Sequence, residues 1–570
     1  METLGPAARF DPIRKKSASP RAARIGYTPH SAARKRGKVV PTDRGWAVSF
    51  RGFVWLLAGL TPAYLVLAAV LPPADDELYY WCWAERLQLS YYDHPPMTAY
   101  MIRAATAVFG DTLFAIRLPA VVSTLTVLLV VGWLTRPRHL LPLVLLTPVF
   151  TFGAVLVTPD TPLLMFWALY VVWLVKVHER LGGGVVGWCS SGVVGWWGGE
   201  KTAAAHRSTT SPPHYLTTPL LHHHPTTPPL LPFWLWPLGG AILGCGILGK
   251  YTTGLAVIAG FLSFAIAGGW RRWAVGYAVH LVVAFVVTLP ILIHNVRHDF
   301  APLLYQWKHS MGDSRPGVVP FLSFVGIQLL LFGFVPFATF VWTVARRREL
   351  LADPRLRVCA CLFGFPFAFF LYKAGRGHLE GNWALACYIA VWPLAAVWYE
   401  RARASQTWRR LTVAAFAVPA GCVAVLAVHL VVPFAALTPQ RDRVTRQSAK
   451  EDVARQLETA LAGLAPGVPV YVPSYQWTAL LRFHHIDARQ IDGLTRPSHF
   501  TQRPERLDDK EAVYVFSEGF LPPEYVGGFG PARIKGKFPL VVRGEEVAVF
   551  WLLEYTRPAV ATGHAAARTP

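Results

Sequence analysis

The sequence predicts an α-helical polytopic membrane protein of about eleven transmembrane helices, followed by a small α/β domain outside the membrane. Three observations predict it. The chain is 53% hydrophobic and only 15% charged, too apolar for a soluble multidomain protein. Apolar stretches of about 20 residues, the length a helix needs to cross hydrocarbon, recur along it. Its basic residues gather in alternate connecting segments rather than along one face.

Residues 1–51 are basic and rich in Ala, Ser and Pro, without the apolar run that follows the charges of a signal peptide. They read as a disordered cytoplasmic arm. The membrane domain, 52–436, has candidate spans beginning near Phe53, Phe114, Leu140, Pro162, Phe233, Gly254, Trp273, Pro320, Val358, Trp383 and Leu411. Arg14 to Arg51, Arg136 with Arg138, Arg271 with Arg272, Arg346 to Arg348 and Arg401 to Arg410 mark every second loop. Positive charge stays in the cytoplasm, so the N-terminus is cytoplasmic and the intervening loops and the tail lie outside a plasma (inner) membrane. The formal charge of +22 thus reports topology, with no nucleic acid as partner. Seven cysteines without repeated spacing give neither a disulfide framework nor a CxxC metal site. Within the membrane domain, 181–232 is a low-complexity cytoplasmic insertion. Its His222, His223 and His224 sit in a Pro/Thr repeat that argues against a built metal site. The tail, 437–570, regains ordinary polarity, with a helical segment over Lys450–Leu464 and β-like runs VPVYVPSY, EAVYVFSE and EEVAVFWLLEY.

The chemistry-bearing residues fall on the outer side. Pro72 and Pro73 stop the first span, and Asp75, Asp76 and Glu77 open a helix, where carboxylates suit the N-terminus. Asp76, Tyr79, Tyr80 and Trp83 follow the spacing of one helical face, with aromatics suited to the membrane interface. YYDHPP supplies Asp93 and His94. A second helix follows, whose stripe of Met97, Tyr100, Met101, Ala104, Ala105 and Val108 can lie on the bilayer surface. TPDTPL puts Asp160 where the chain re-enters the membrane at once, able to face Asp76. GKYTT holds Lys250 and Tyr251 between two apolar runs, where an ammonium is costly unless paired or snorkelled. Asparagine occurs twice in the chain, as Asn295 and Asn382, both at outer ends of spans. By residue type alone, plainer accounts stand beside each reading: capping for the triplet, solvated turns for Asp93 and Asp160, and a snorkelling lysine for Lys250.

DELYYWCWAERLQLSYYDHPP, FGDTLFAIRLPA, TPDTPLLMFW, LGKYTTGLAVIAG, PILIHNVRHDFAPLLYQWKH, HLEGNWALACYIAVWPL and SYQWTALLRF together resemble the polyprenyl-phosphate-sugar-dependent glycosyltransferases of the GT-C type, family 39. That family includes protein O-mannosyltransferases and the lipid A aminoarabinose transferase. The resemblance covers most of the chain and implies a GT-C architecture. It implies a catalytic acid pair, Asp76 and Glu77, with Asp76 as general base and Asp75 an extra neighbour. Asp160 is the implied second acid, orienting the acceptor or a divalent metal; cofactors otherwise stay open. Lys250 and Arg117 would meet the donor phosphate, with Tyr80, His94, Tyr251 and Asn295 as further substrate contacts. His378, Glu380 and Asn382 sit where family members close the cleft. The implied reaction transfers a sugar from a polyprenyl-phosphate donor to a glycan, lipid or protein hydroxyl by inverting displacement. A transporter or flippase of lipid-linked sugars is the alternative, but it calls for polar ligands near the bilayer midplane, whereas here they crowd one rim. A non-catalytic scaffold would tolerate substitution of Asp76.

Overall fold

The computed structural model describes residues 48–136, 138–181, 231–311, 316–402, 405–434, 438–464, 469–502, 507 and 510–558. The basic arm over 1–47 and the insertion over 182–230, including its three histidines, lie outside the described residues.

Helix α1 (Phe50–Val70) starts at Ser49, whose hydroxyl accepts the Gly52 amide, and Pro72 and Pro73 follow its end. Helix α2 (Asp75–Glu85) begins with the three acids, and the Glu77 carboxylate turns back to accept the Ala74 amide at 2.9 Å, as an acid at this position of a first turn does. Then come α3 (Met97–Phe109), α4 (Leu113–Leu134) and the one-turn α5 (Leu141–Val144). Helices α6 (Asp160–Leu181), α7 (Leu235–Gly249), α8 (Gly254–Ala267), α9 (Ala274–Arg297) and α10 (Ala301–Met311) follow. Beyond them lie α11 (Val318–Phe332), α12 (Val335–Ala345), the short α13 (Arg347–Leu350), α14 (Pro354–Arg376), α15 (Cys387–Ala402), α16 (Gln406–Ala415) and α17 (Ala417–Val431).

Among the described residues six segments are long and apolar enough to cross a membrane: α1, α4, α6, α9, α14 and the run Gln406–Val431. A seventh exists if α11 and α12, bent by 103°, count as one. The expectation of eleven spans is not confirmed. Helices α7 and α8 are shorter apolar helices, and α15 has 16 residues. The segment from Leu140 is not one helix: it breaks into α5 and two 3₁₀ turns, Pro148–Phe150 and Phe152–Ala154, because Pro148 brings no amide proton and Gly153 favours no helix.

Among the described residues the tail contributes α18 (Arg443–Ala462), α19 (Tyr475–Phe483), α20 (Pro523–Val526) and five strands: β1 (Val470–Val472), β2 (Ala488–Gln490), β3 (Ala512–Ser517), β4 (Arg533–Val542) and β5 (Glu545–Thr556). The sheet runs β2-β1-β3-β5-β4, with β1 parallel to β2 and β3 and β5 antiparallel to β3 and β4. Arg543 and Gly544, with φ of 53° and 82°, give the β4–β5 hairpin the left-handed backbone that tight hairpin turns need.

Two apolar cores position the site. One joins α4, α6, α8, α14 and α15 around Trp167 and Trp392. The other is shared by α2, α3 and the tail. Every residue of α2 from Glu77 to Ala84 is buried. Its aromatics therefore line a protein core rather than a bilayer interface: Tyr79 meets Tyr475 and Phe500 at ring distances of 4.7 and 5.3 Å, and Trp81 meets Phe483 at 5.3 Å. Helix α3 packs inward through Thr98, Ala99, Ile102, Ala105 and Thr106. Of its expected surface stripe only Ala104 and Val108 are exposed, Met97, Tyr100 and Met101 being half-buried and Ala105 buried.

Candidate active site

Consecutive residues at the start of α2 meet three different environments. Glu77 is 1% exposed and pairs with Arg117, itself 0% exposed, at 2.7 Å. That guanidinium also donates to the carbonyls of Leu71 and Pro72, both at 2.7 Å, while Glu77 accepts the Val157 amide at 3.0 Å. The pair is a fastener joining the end of α1, the start of α2, α4 and the loop before Asp160. Asp75 accepts two contacts from Lys450 of α18, at 2.7 and 2.9 Å.

Asp76 has no ion-pair partner among the described residues; the phenol of Tyr475 donates to it at 2.9 Å. Burial, with the charges of Asp75 and Asp93, raises its carboxyl above the usual carboxylate range against the lowering effect of the Tyr475 hydrogen bond and Arg496. Desolvation of this kind favours the neutral acid. Asp93 is held by Arg496 at 2.6 Å and by the Tyr79 hydroxyl. Arg496 lies over the Tyr475 ring at 4.1 Å and also donates to the Tyr305 hydroxyl at 2.9 Å. Two tail residues, Tyr475 and Arg496, thus complete the surroundings of Asp76.

The second acid sits at the first residue of α6. Asp160 accepts from Lys250 at 2.7 Å and from the Asn382 amide at 2.6 Å. Glycines bring both partners in. A Cβ on Gly249 would stand 2.9 Å from the Pro162 ring and 3.0 Å from the Leu163 amide, so only glycine lets the end of α7 come so near α6. A Cβ on Gly381 would stand 2.3 Å from Ile327, and the Gly381 carbonyl is anchored by Gln328 at 2.9 Å.

The structure brings Asp75, Asp76, Glu77 and Tyr80 to one end of the site, and Asp160, Lys250 and Asn382 to the other. Tyr80 joins them: burial, and then the charges of Asp76, Asp93, Tyr475 and Asp160, hold its phenol well above the ordinary value. His94 is half-buried, its ring 6.3 Å from that of Tyr80. Tyr251 is hydrogen-bonded to Asn295, which accepts the Leu303 amide at 3.0 Å and fixes the turn from α9 to α10 rather than reaching an acid. His378 and Glu380, 76% and 57% exposed and paired at 3.2 Å, stand in the open.

A cavity of about 720 Å³ opens beside Asp75, Asp76 and Tyr475. A second, of about 320 Å³, is apolar along most of its wall and ends at Asp160 and Asn382. Phe152 and Leu156 line both. As a metal site the donor set does not fit. Among the described residues no three His, Cys, Asp or Glu side chains gather as ligands, and Asp75, Glu77, Asp93 and Asp160 each have a protein cation within 2.7 Å.

Residues 93–198 match the family model described as dolichyl-phosphate-mannose-protein mannosyltransferase. The lipid A galacturonosyltransferase RgtD of Rhizobium johnstonii is 24% identical over 356 residues, 58% of this chain and 63% of its own length. ArnT from Cupriavidus metallidurans superposes with a TM-score of 0.54 in the apo state, at 14% identity, covering 88% of this chain and 98% of ArnT. Bound to undecaprenyl phosphate, ArnT superposes at 0.57 and 13% identity, covering 89% and 98%. The chain has the ArnT fold. With the family model and the curated relative, its resemblance to the GT-C glycosyltransferases is shown.

Proposed function

We propose that this protein is a membrane glycosyltransferase moving a sugar from a polyprenyl-phosphate donor to an acceptor hydroxyl, with Asp76 as general base. One observation carries the assignment: of the five carboxylates gathered here, Asp76 alone lacks a cation partner among the described residues. A base must be able to take a proton, and a carboxylate raised by burial and held by a neutral phenol is suited to it.

In the proposed step the Asp76 carboxylate removes the acceptor hydroxyl proton while that oxygen bonds to the anomeric carbon. The bond from that carbon to the phosphate oxygen breaks, and polyprenyl phosphate leaves with the electron pair. Attack opposite the leaving group inverts the anomeric centre. The apolar cavity ending at Asp160 suits the prenyl chain. Lys250 has three N–H donors, one on Asp160, so it can meet the phosphate while Asp160, itself held by the Asn382 amide, keeps it in place. Glu77 and Arg117 are assigned to positioning, not to chemistry.

The remaining expectations fit this reading as proposals: a site at the outer face, a cytoplasmic N-terminus and a tail outside. ArnT with undecaprenyl phosphate bound supports the donor class. The name of RgtD makes a uronosyl donor and lipid A the first pair to try. The test supplies membranes holding the full chain with a panel of labelled polyprenyl-phosphate sugars and determines the product's anomeric configuration. Inversion is expected; retention contradicts the single displacement. Passage of the lipid-linked sugar across the bilayer with no labelled acceptor supports the transporter instead.

A further inference from the structure

We propose that Gln328, buried in α11, is a positioning residue for the donor phosphate, acting through the Gly381 peptide to hold Asn382, Asp160 and Lys250 in line. The inference rests on the transferase reading and deepens its donor side.

Gln328 is 0% exposed within the run GIQLLLF, where a polar side chain is costly unless protein groups satisfy it. Both ends of its amide are satisfied. A carbonyl can only accept, so Gln328 Nε2 turns to the Gly381 carbonyl and donates at 2.9 Å. That leaves Oε1 for the Tyr388 hydroxyl, which donates at 2.6 Å. The Tyr388 ring is packed against Phe332 at 4.1 Å and Phe367 at 6.1 Å, so the glutamine is fixed from behind.

The bond to Gly381 does more than join helices. The Gly381 carbonyl belongs to the rigid peptide plane that leads into Asn382, so anchoring it fixes the direction in which the Asn382 side chain leaves the backbone. Asn382 itself is exposed, so its backbone rather than packing aims it. The same turn is pressed onto α11 at Ile327, which a Cβ on Gly381 would meet at 2.3 Å. Asn382 then occupies Asp160 Oδ2 at 2.6 Å while Lys250 occupies Oδ1 at 2.7 Å. With both carboxylate oxygens taken, the ammonium has one seat, and its remaining hydrogens are held toward one place. Leu331 of α11 and Leu385 beside the turn line the apolar cavity that ends at Asp160. The helix and turn that wall the proposed prenyl site therefore also set the cation for its phosphate.

The test titrates the full chain in detergent with undecaprenyl phosphate and reads affinity and binding capacity separately. Lys250→Met is expected to weaken binding at least about tenfold, as the loss of a charged hydrogen bond implies. Gln328→Met, which removes both bonds at similar volume, should weaken it about three- to tenfold, the worth of a hydrogen bond. Gly381→Ala, which displaces the turn with the glutamine intact, should do the same. In an Asn382→Ala background either change should add less than about twofold, because residues acting through one another are not additive. The full effect of Gln328→Met on top of Asn382→Ala, or lost capacity with unchanged affinity, marks a helix-packing role and overturns the proposal. Unchanged affinity in Gln328→Met beside weakened binding in Lys250→Met overturns it as well and leaves the donor reading standing. Wild-type affinity in Lys250→Met overturns both. Binding needs no turnover, so a wild-type chain that binds undecaprenyl phosphate and transfers no sugar counts against the transferase reading alone.

Discussion

At the α2 end of the site Asp76 rests against a neutral phenol, whereas at the α6 end Asp160 is clamped by a buried ammonium and an amide. Both acids lie within electrostatic reach of Tyr80, so proximity to one another does not separate their roles. Their partners do. An acid locked to a buried cation fixes that cation in place, while a desolvated acid held by a neutral donor is ready to exchange a proton. The same contrast divides Asp76 from its own neighbours, since Asp75 and Glu77 are both paired.

The contrast is broken most violently at its foundation. Arg117→Met leaves Glu77 charged and unpaired in the protein interior, and breaking such a pair costs about 3–5 kcal/mol; thermal unfolding in detergent reads this as lost stability rather than as a change in KM. Lys250→Met, which removes the proposed phosphate donor, should lower turnover about a hundredfold in a transfer assay with the donor saturating. Tyr475→Phe sharpens the comparison at the other end. The phenol's hydrogen bond lowers the Asp76 pKa, so its removal raises that pKa. The acid limb of the pH–rate profile then moves to higher pH, and activity below that limb falls about three- to tenfold, the worth of one hydrogen bond. An unmoved acid limb means that Asp76 is not the titrating base. His378→Ala should change the transfer rate by less than about twofold, as expected of an exposed pair; a large loss would mean that the segment closes over the substrate.

The α2 triplet, TPDTPL and GNW were legible because each sets local chemistry beside a span end, and Asn382 does reach Asp160. Asn295, equally rare, serves a helix turn; rarity alone did not distinguish the two. Tyr475 and Arg496 were not picked out because they reach Asp76 and Asp93 across 399 and 403 residues, separations at which no local period speaks. Arg117 was expected to meet the donor phosphate because a sequence shows a charge but not its partner, here the buried Glu77. Helix α18 begins at Arg443, whereas the helical segment was read from Lys450 onward and so lost its first turns. The break after Leu140 was signalled by Pro148 and Gly153, which hydropathy alone outweighed.

The most direct measurement is the transfer rate of Asp76→Asn beside Asp75→Asn at matched expression, with one donor and one acceptor. The account predicts a loss of at least about a hundredfold for Asp76→Asn, the scale of a general base. For Asp75→Asn, whose carboxylate is already paired with Lys450, it predicts turnover within about tenfold of wild type, as for a partly exposed ion pair. Equal losses in the two variants, or a larger loss at Asp75, would contradict it.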